Sequence, residues 1–312
     1  MKKEKVSICV ITYNSSKTIL ATLNSILYQD YGSENIELII SDDGSKDDTS
    51  NIIEEWSKYH SSIFYKFILI KNNINTGISF NVNQAWKSAT CNWIKTIAGD
   101  DILDKKCITS NMTYINNNSE VKILFSKMQS FYENDNVKLY QDIYPKDFNI
   151  LFFKKTVDKQ FEYLLTKSFN MAPSSFIHKD ILIDVNYADE RFKLIEDLPL
   201  WLKITKKGYR FYFNPEITVY YRISDSLSNS VTRFININFH KEILFLHEKI
   251  IKPNMKGINK IYYFDKIIEL KSDLIIAKMT KNKRNKMSYI LNKSISLLRP
   301  RWYQSIFSRF LK

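Results

Sequence analysis

Cysteine is scarce in this 312-residue chain: Cys9, Cys91 and Cys107 are the whole set, an odd number with no CxxC pair. That argues against a disulfide-built fold and for reduced, intracellular thiols. Cys9 sits inside an apolar run, a packing position. Long apolar runs are also missing. No window approaches the ~18 uninterrupted apolar residues of a membrane-spanning helix. The N-terminal "MKKEKVSICVITYN" starts basic, but its apolar stretch is too short for a secretory signal. These absences predict a cytoplasmic protein. The histidines, His60, His178, His240 and His247, show no metal-ligand spacing. His240 and His247, seven positions apart, read as surface positions on a helix.

What is present describes a folded protein with a basic surface. The chain is 44% hydrophobic and 14% aromatic, which excludes a disordered segment. Its length suits one large or two ordinary domains. The formal net charge of +13 favours anionic partners: nucleic acid, acidic lipid or phosphorylated substrates.

Along the first hundred residues, apolar runs alternate with helical periodicity. "VSICVI" (Val6 to Ile11) reads as a strand. Ile19, Leu20, Leu23, Ile26 and Leu27 then recur at helical spacing, with Ser15 or Ser16 as cap. Ile36 to Ile40 is a second strand, followed by a helix through Ile52, Ile53 and Trp56, with Ser45 or Asp47 near its cap. Phe67 to Ile70 is a third strand, Ser79 to Ala89 a helix, and Trp93 to Ile97 a fourth strand. This pitch predicts an α/β fold with a parallel sheet flanked by helices. Ligands of such sheets bind beyond the carboxyl ends of the strands. Tyr13-Asn14, Asp42-Asp43 and Asp100-Asp101 all fall there. From about Val121 short strands and aromatic loops take over. Ile195 to Lys206 reads as a helix, and "GYRFYFNPEITVYYR" as two strands broken at Asn214-Pro215. Beyond Ser230 the chain reads as helical and basic, with "TKNKRNK" as a solvated cluster.

Six stretches, in order, resemble family 2 glycosyltransferases of the GT-A fold: "VSICVITYNSSKTILATLNSILYQ", "ELIISDDGSKDDT", "NTGISFNVNQAW", "IAGDDIL", "IEDLPLWLKITKKGYRF" and "YYRISDSLS". They span roughly Val6 to Ser228. The resemblance implies a GT-A domain over 1–228, its first 120 residues binding a nucleotide sugar and residues 121–228 carrying the acceptor and catalytic half. Residues 229–312 would form a C-terminal helical extension. It also implies an inverting transfer from a nucleotide sugar, a UDP-sugar in this reading, to a glycan or lipid-linked glycan of a surface polysaccharide.

The resemblance assigns roles to individual residues. Asp43 would accept from a uracil N–H, with Tyr13 against the base and Asp42 beside it. On turn propensity alone, Asp42-Asp43-Gly44-Ser45 is equally well a turn. Asn75, Gly77 and Asn83 match the loop over the diphosphate. Family members often carry Arg just before that last Asn, where Val82 stands, leaving phosphate neutralisation to Lys95 or a metal. Asp100 and Asp101 would hold Mn²⁺ or Mg²⁺, for which hard oxygen ligands are suited. An acid is common two positions before Asp100; this chain has Ala98. Asp197 matches the general base, with Glu196 orienting the site, although helix starts also attract acids. Arg222 would contact diphosphate or pair with a carboxylate. Ser224 stands where a His is frequent.

The C-terminal "LLRPRWYQSIFSRFLK" has the composition of an interfacial amphipathic helix that would touch the anionic inner membrane. It equally suits a helix docked on its own domain or on a second subunit. Other functions fit less well. Gly-Asp-Asp occurs in RNA-template polymerases, but the frame is too small, and no nucleic-acid-binding signature appears. A nucleotidyltransferase would need a Gly-rich, Arg-containing loop after the first strand; "ITYNSSKT" has no glycine. A non-catalytic or nucleic-acid-binding basic protein on an α/β fold is the remaining alternative.

Overall fold

The computed structural model describes residues 3–134, 137–167, 169–223, 233–257, 259–297 and 299. The chain divides into two compact units, Met1–Leu164 with Phe169–Ile223, and Leu165–Ser168 with Ser224–Lys312.

The first unit is built on one nine-stranded sheet. Its first half holds β1 (Val6–Thr12), β2 (Ile36–Asp42), β3 (Lys66–Lys71) and β4 (Trp93–Ala98), in the order β3-β2-β1-β4 and all parallel. Every residue of β1 and β2 is buried, as expected for strands covered on both faces. The crossovers are helices α1 (Ile19–Leu27), α2 (Thr49–His60) and α3 (Ile78–Ser88). Helix α1 buries Ile19, Thr22, Leu23 and Ile26, one face of a helix at 3.6 residues per turn. The caps differ from expectation. The cap of α1 is Thr18 and that of α2 is Asp48, each without a side-chain capping bond. Asp47 instead bridges two loops, accepting from Thr49 N at 3.1 Å and from Ser16 N at 3.0 Å.

Beyond β4 the sheet is mixed. It contains β5 (Ile102–Leu103), β6 (Ile123–Asn134), β7 (Val137–Tyr144), β8 (Phe176–His178) and β9 (Tyr212–Arg222). Strand β8 lies antiparallel to both β4 and β6. Strand β9 runs parallel to β6 and antiparallel to β5, and β7 pairs with β6. The segment expected as two strands broken at Asn214-Pro215 is one strand. Asn214 opposes Ser126 and Ile217 opposes Lys127, so Pro215 and Glu216 are left over in an irregularity. That accommodates a proline, which has no N–H for the ladder.

The helices here are α4 (Cys107–Asn116), α5 (Asp147–Ile150), α6 (Val157–Leu164), α7 (Lys179–Asp184) and α8 (Asp197–Lys206). An aromatic cluster forms the core. Phe125 is fully buried and meets Phe153, Phe169, Trp201 and Phe211 at centroid distances of 5.9, 5.1, 5.2 and 5.0 Å.

The second unit is helical: α9 (Ile237–Leu246), running into a π-helical turn over His247–Ile251, then α10 (Lys252–Asn254), α11 (Asn259–Met279) and α12 (Lys286–Ser296). His240 and His247 are half-buried rather than surface residues. His240 Nε2 lies 3.5 Å from Asp273. His247 Nδ1 bonds Ile243 O at 2.9 Å, and burial pushes its pKa down. Of the tail from Leu298 to Lys312, only Arg299 is among the described residues; it pairs with Asp265 and Glu269 at 2.7 and 2.6 Å. Ser224 also lies outside them. Among the described residues, no helix is long and apolar enough to cross a membrane.

Phe125→Ala removes the ring at the centre of the cluster. It is expected to destabilise the first unit by about 3–5 kcal/mol, read as a lower denaturant midpoint at unchanged slope.

Candidate active site

Three parallel strands end together. Thr12 opposes Asp42, and Ile11 opposes Ala98. The residues that follow, Tyr13-Asn14, Asp43 and Gly99 to Asp101, therefore leave the sheet along one edge. Tyr13 is exposed there. Asn14 takes a left-handed turn at φ 53°. Its N–H donates to Ser45 Oγ at 2.8 Å, and its Oδ1 accepts from Lys46 N at 2.8 Å. These bonds clamp the loops after β1 and β2 together.

Asp42 and Asp43 are both buried. Asp42 accepts from Ser45 N–H at 3.2 Å and from Ser45 Oγ at 2.5 Å, a local turn. Asp43 reaches further. Its Oδ1 accepts from Asn72 Nδ2 at 3.2 Å, Thr76 N at 2.9 Å and Thr76 Oγ1 at 2.6 Å, and its Oδ2 accepts from Gly77 N at 2.9 Å. A buried carboxylate needs such donors. They fasten the loop before α3 to the end of β2.

That loop is in turn fastened to the segment carrying the second acid pair. Gly77 sits at φ 98°, where a Cβ would lie 2.8 Å from Lys193 Cβ; only glycine combines that conformation with that approach. Ile78 N donates to Lys193 O at 2.8 Å. Asn83 is buried, donating to Ala188 O at 3.0 Å and Glu190 Oε1 at 2.8 Å while accepting from Ala188 N at 2.9 Å. Gly77 and Asn83, expected at the diphosphate, are thus spent on protein contacts. Of that trio, Asn75 is exposed.

Asp100 and Asp101 follow β4 in a tight setting. A Cβ at Gly99 would stand 2.6 Å from Thr12 Oγ1, and that hydroxyl is buried without a partner among the described residues. Thr22 Oγ1 donates to Asp101 O at 2.7 Å. Asp101 is 1% exposed, and its Oδ1 accepts from Arg222 N at 2.9 Å. Burial, then the neighbouring Asp100 charge, pushes its carboxyl well up; burial raises Asp100 too. Arg222 braces the pair from below. Its Nε donates to Asp100 O at 2.8 Å, its Nη1 pairs with Glu133, and its guanidinium lies 4.7 Å from the Phe131 ring centre. Lys95 does not face this edge. It is fully buried and donates to the carbonyls of Pro173 and Ser175, so it cannot serve a phosphate.

Two adjacent desolvated carboxylates, Asp101 raised further by the Asp100 charge, form a donor set that a divalent cation would relieve. Asp100 and Asp101 fit such an ion. No group of three metal-ligating side chains occurs among the described residues, so an ion held by this pair would need further ligands from a bound molecule or water.

Glu196 caps α8 and Asp197 opens it. Asp197 Oδ1 accepts from Leu198 N at 2.6 Å. Burial raises both carboxyls; Glu196, pushed further by the Asp197 charge, reaches about 8. Near neutral pH Glu196 therefore holds its proton.

Sequence reasoning missed the supporting residues Thr12, Asn72, Thr76, Glu133 and Lys193. Thr76 lies inside "NTG", a stretch singled out for phosphate, yet it serves Asp43. Glu133 and Lys193 carry no local signal, because their partners are 89 and about 116 residues away along the chain.

Comparison with known proteins agrees with this architecture. The family model described as glycosyl transferase family 2 matches residues 7–185, which takes in Tyr13 through Asp101 and stops short of Glu196. An Escherichia coli UDP-Glc:alpha-D-GlcNAc-diphosphoundecaprenol beta-1,3-glucosyltransferase, WfaP, is 30% identical over 78% of this chain and 91% of its own. Staphylococcus aureus TarS 1-349 in complex with UDP-GlcNAc superposes with a TM-score of 0.60 at 17% identity, covering 98% of this chain and 92% of that one. A longer TarS structure extends well beyond the match, which covers 43% of it. The Pyrobaculum calidifontis mannosyltransferase PcManGT, in complex with GDP-Man and Mn2+, gives a TM-score of 0.59 at 15% identity, over 99% and 84% of the two chains. This chain belongs to glycosyltransferase family 2 and has the GT-A fold.

Proposed function

We propose that the chain transfers a sugar, with inversion, from a UDP-sugar to a hydroxyl of a glycan or lipid-linked glycan during surface-polysaccharide assembly. The observation that carries this reading is the delivery of Tyr13, Asp43 and the Asp100-Asp101 pair to one sheet edge by strands in register. The uridine choice is supported by the UDP-sugars that WfaP and TarS name. In this reading residues 1–120 bind the donor, residues 121–228 carry the acceptor side and residues 229–312 are a helical extension. Three free, buried cysteines suit a reducing cytoplasm.

Each residue then has a task. Tyr13 covers the base, and Asp43, already holding its loop, keeps one lone pair of Oδ2 for a base N–H. Asp100 and Asp101 would hold Mn²⁺ or Mg²⁺, which would neutralise the charge that develops on the leaving diphosphate. Arg222 fixes both acids, and Asn75 stands open to the donor. Asp197 takes the acceptor hydroxyl proton. The acceptor oxygen bonds the anomeric carbon as the carbon–oxygen bond to diphosphate breaks, its electron pair leaving on phosphate. One displacement from the opposite face inverts that carbon.

The direct test is incubation with a panel of nucleotide sugars and Mn²⁺, read as release of nucleoside diphosphate. Release from no member of the panel would overturn the reading. Excess chelator is expected to abolish release, and Mn²⁺ or Mg²⁺ to restore it; full turnover in chelator would remove the metal from the mechanism.

Asp197→Asn keeps the size and removes the basicity. Turnover is expected to fall ~10²–10⁴-fold with UDP affinity by calorimetry nearly unchanged. Parental turnover would place the base elsewhere.

Glu196 gives a pH signature. Below its ordinary value of 4.5 it is protonated in folded and unfolded chains alike. From there to about 8 the unfolded chain ionises while the folded one resists, so the group costs stability as pH rises. The melting temperature of Glu196→Gln is therefore expected to exceed the parent's by more at pH 8 than at pH 5. An equal difference at both would show that Glu196 is not buried against its charge.

A further inference from the structure

Helix α11 shows solvent an unusual face. Its exposed residues are Ile261, Phe264, Ile268, Ile275 and Met279, with Lys260, Lys271 and Lys278. At 3.6 residues per turn the five apolar positions fall within an arc of roughly 60°, and the three lysines line one border of it. The face continues in kind past the helix. Lys281, Lys283 and Arg284 are exposed between α11 and α12; α12 exposes Lys286, Met287, Ile290 and Lys293 together with Tyr289 and Ser294.

Among the described residues, α11 and α12 themselves expose no acid. The three acids of 259–297 are Asp265, Glu269 and Asp273. Asp265 and Asp273 are buried and Glu269 is half-buried. Each is engaged inside the unit: Asp265 and Glu269 by Arg299, Glu269 also by Lys266, and Asp273 by His240 and Asn292. Glu248, exposed on the π-helical turn before α10, lies 3.5 Å from Lys271. The exposed residues of α11 itself are apolar and cationic only.

We propose that the α11–α12 hairpin is a docking surface for an anionic lipid bilayer, lying in the plane of the interface. The charge pattern selects this occupant. An aliphatic stripe gains nothing against a polyphosphate groove, whereas at a bilayer it enters the acyl boundary. Lysines at its border reach headgroup phosphates while their stems lie along apolar surface. A second copy of the same hairpin would bring cation against cation. Lipid binding here stands apart from the proposed transfer chemistry, since no residue of the hairpin belongs to that machinery.

The test is co-sedimentation of the full chain with phosphatidylcholine vesicles, with and without phosphatidylglycerol. Binding is expected only with phosphatidylglycerol and is expected to weaken with salt. Lys278→Glu with Lys281→Glu is expected to weaken it about tenfold or more, each cation near the surface contributing roughly a factor of five. Ile268→Ser with Ile275→Ser is expected to weaken it at any salt concentration. Both variants change exposed positions, so parental melting curves and parental donor turnover are expected. Several results would overturn the proposal: no binding by the intact chain, equal binding to both vesicles, or full binding by both variants. So would binding lost only on removal of residues 300–312, or a dimer in solution that Ile268→Ser with Ile275→Ser dissociates.

Discussion

A carboxylate at the end of a buried strand must find donors, and the way Asp43 finds them organises the candidate site. Its four bonds draw the Asn72 to Gly77 loop onto β2. Gly77 and Ile78 then carry the tie to Lys193, three residues before Glu196. A substitution at any link would move the next, because Gly77 leaves no room for a Cβ and Asn83 has both ends of its amide occupied. The elements before and after the central sheet are thus joined by polar contacts whose loss would strand buried groups.

The two acid pairs show the opposite economy. Asp100-Asp101 and Glu196-Asp197 are held where burial raises all four carboxyls, with Asp101 and Glu196 raised further by the neighbouring charge. Arg222 and Thr22 hold the first pair through backbone groups as much as through charge, leaving carboxylate oxygens for other partners. Such sites cost stability and are where chemistry is found. Lys95 makes a useful contrast. It is a buried cation near the same strand end, but its ammonium is satisfied by carbonyls of the turn before β8, and so its role is packing the two halves of the sheet.

The second unit obeys a different rule. The acids of α11 are turned inward and paired, and its exposed face keeps aliphatic groups beside lysines. A helix needs one apolar stripe to pack on its own domain. Helix α11 has a packed one, through Leu270, Ile276 and Ala277, and a second that faces solvent.

Local sequence determined a good deal: the alternation of buried strands and helices through Ala98, the strand ends at which Tyr13, Asp43 and Asp100-Asp101 emerge, and the helical C-terminal region. Those features depend on periodicity and on parallel pairing, both of which act over short windows. The partners of the polar residues were decided only by the tertiary structure. Gly77 and Asn83 look like ligand-binding residues in a motif, yet they meet Lys193 and Ala188, more than a hundred positions away. Pro215 breaks a strand by local rule, but pairing with β6 carries the strand past it. Arg222 is compatible by sequence with diphosphate or carboxylate, and in the fold its guanidinium meets Glu133 on β6. Hydrogen bonds and ion pairs are short-ranged in space but unrestricted along the chain, so the fold alone selects which of the compatible groups are brought together.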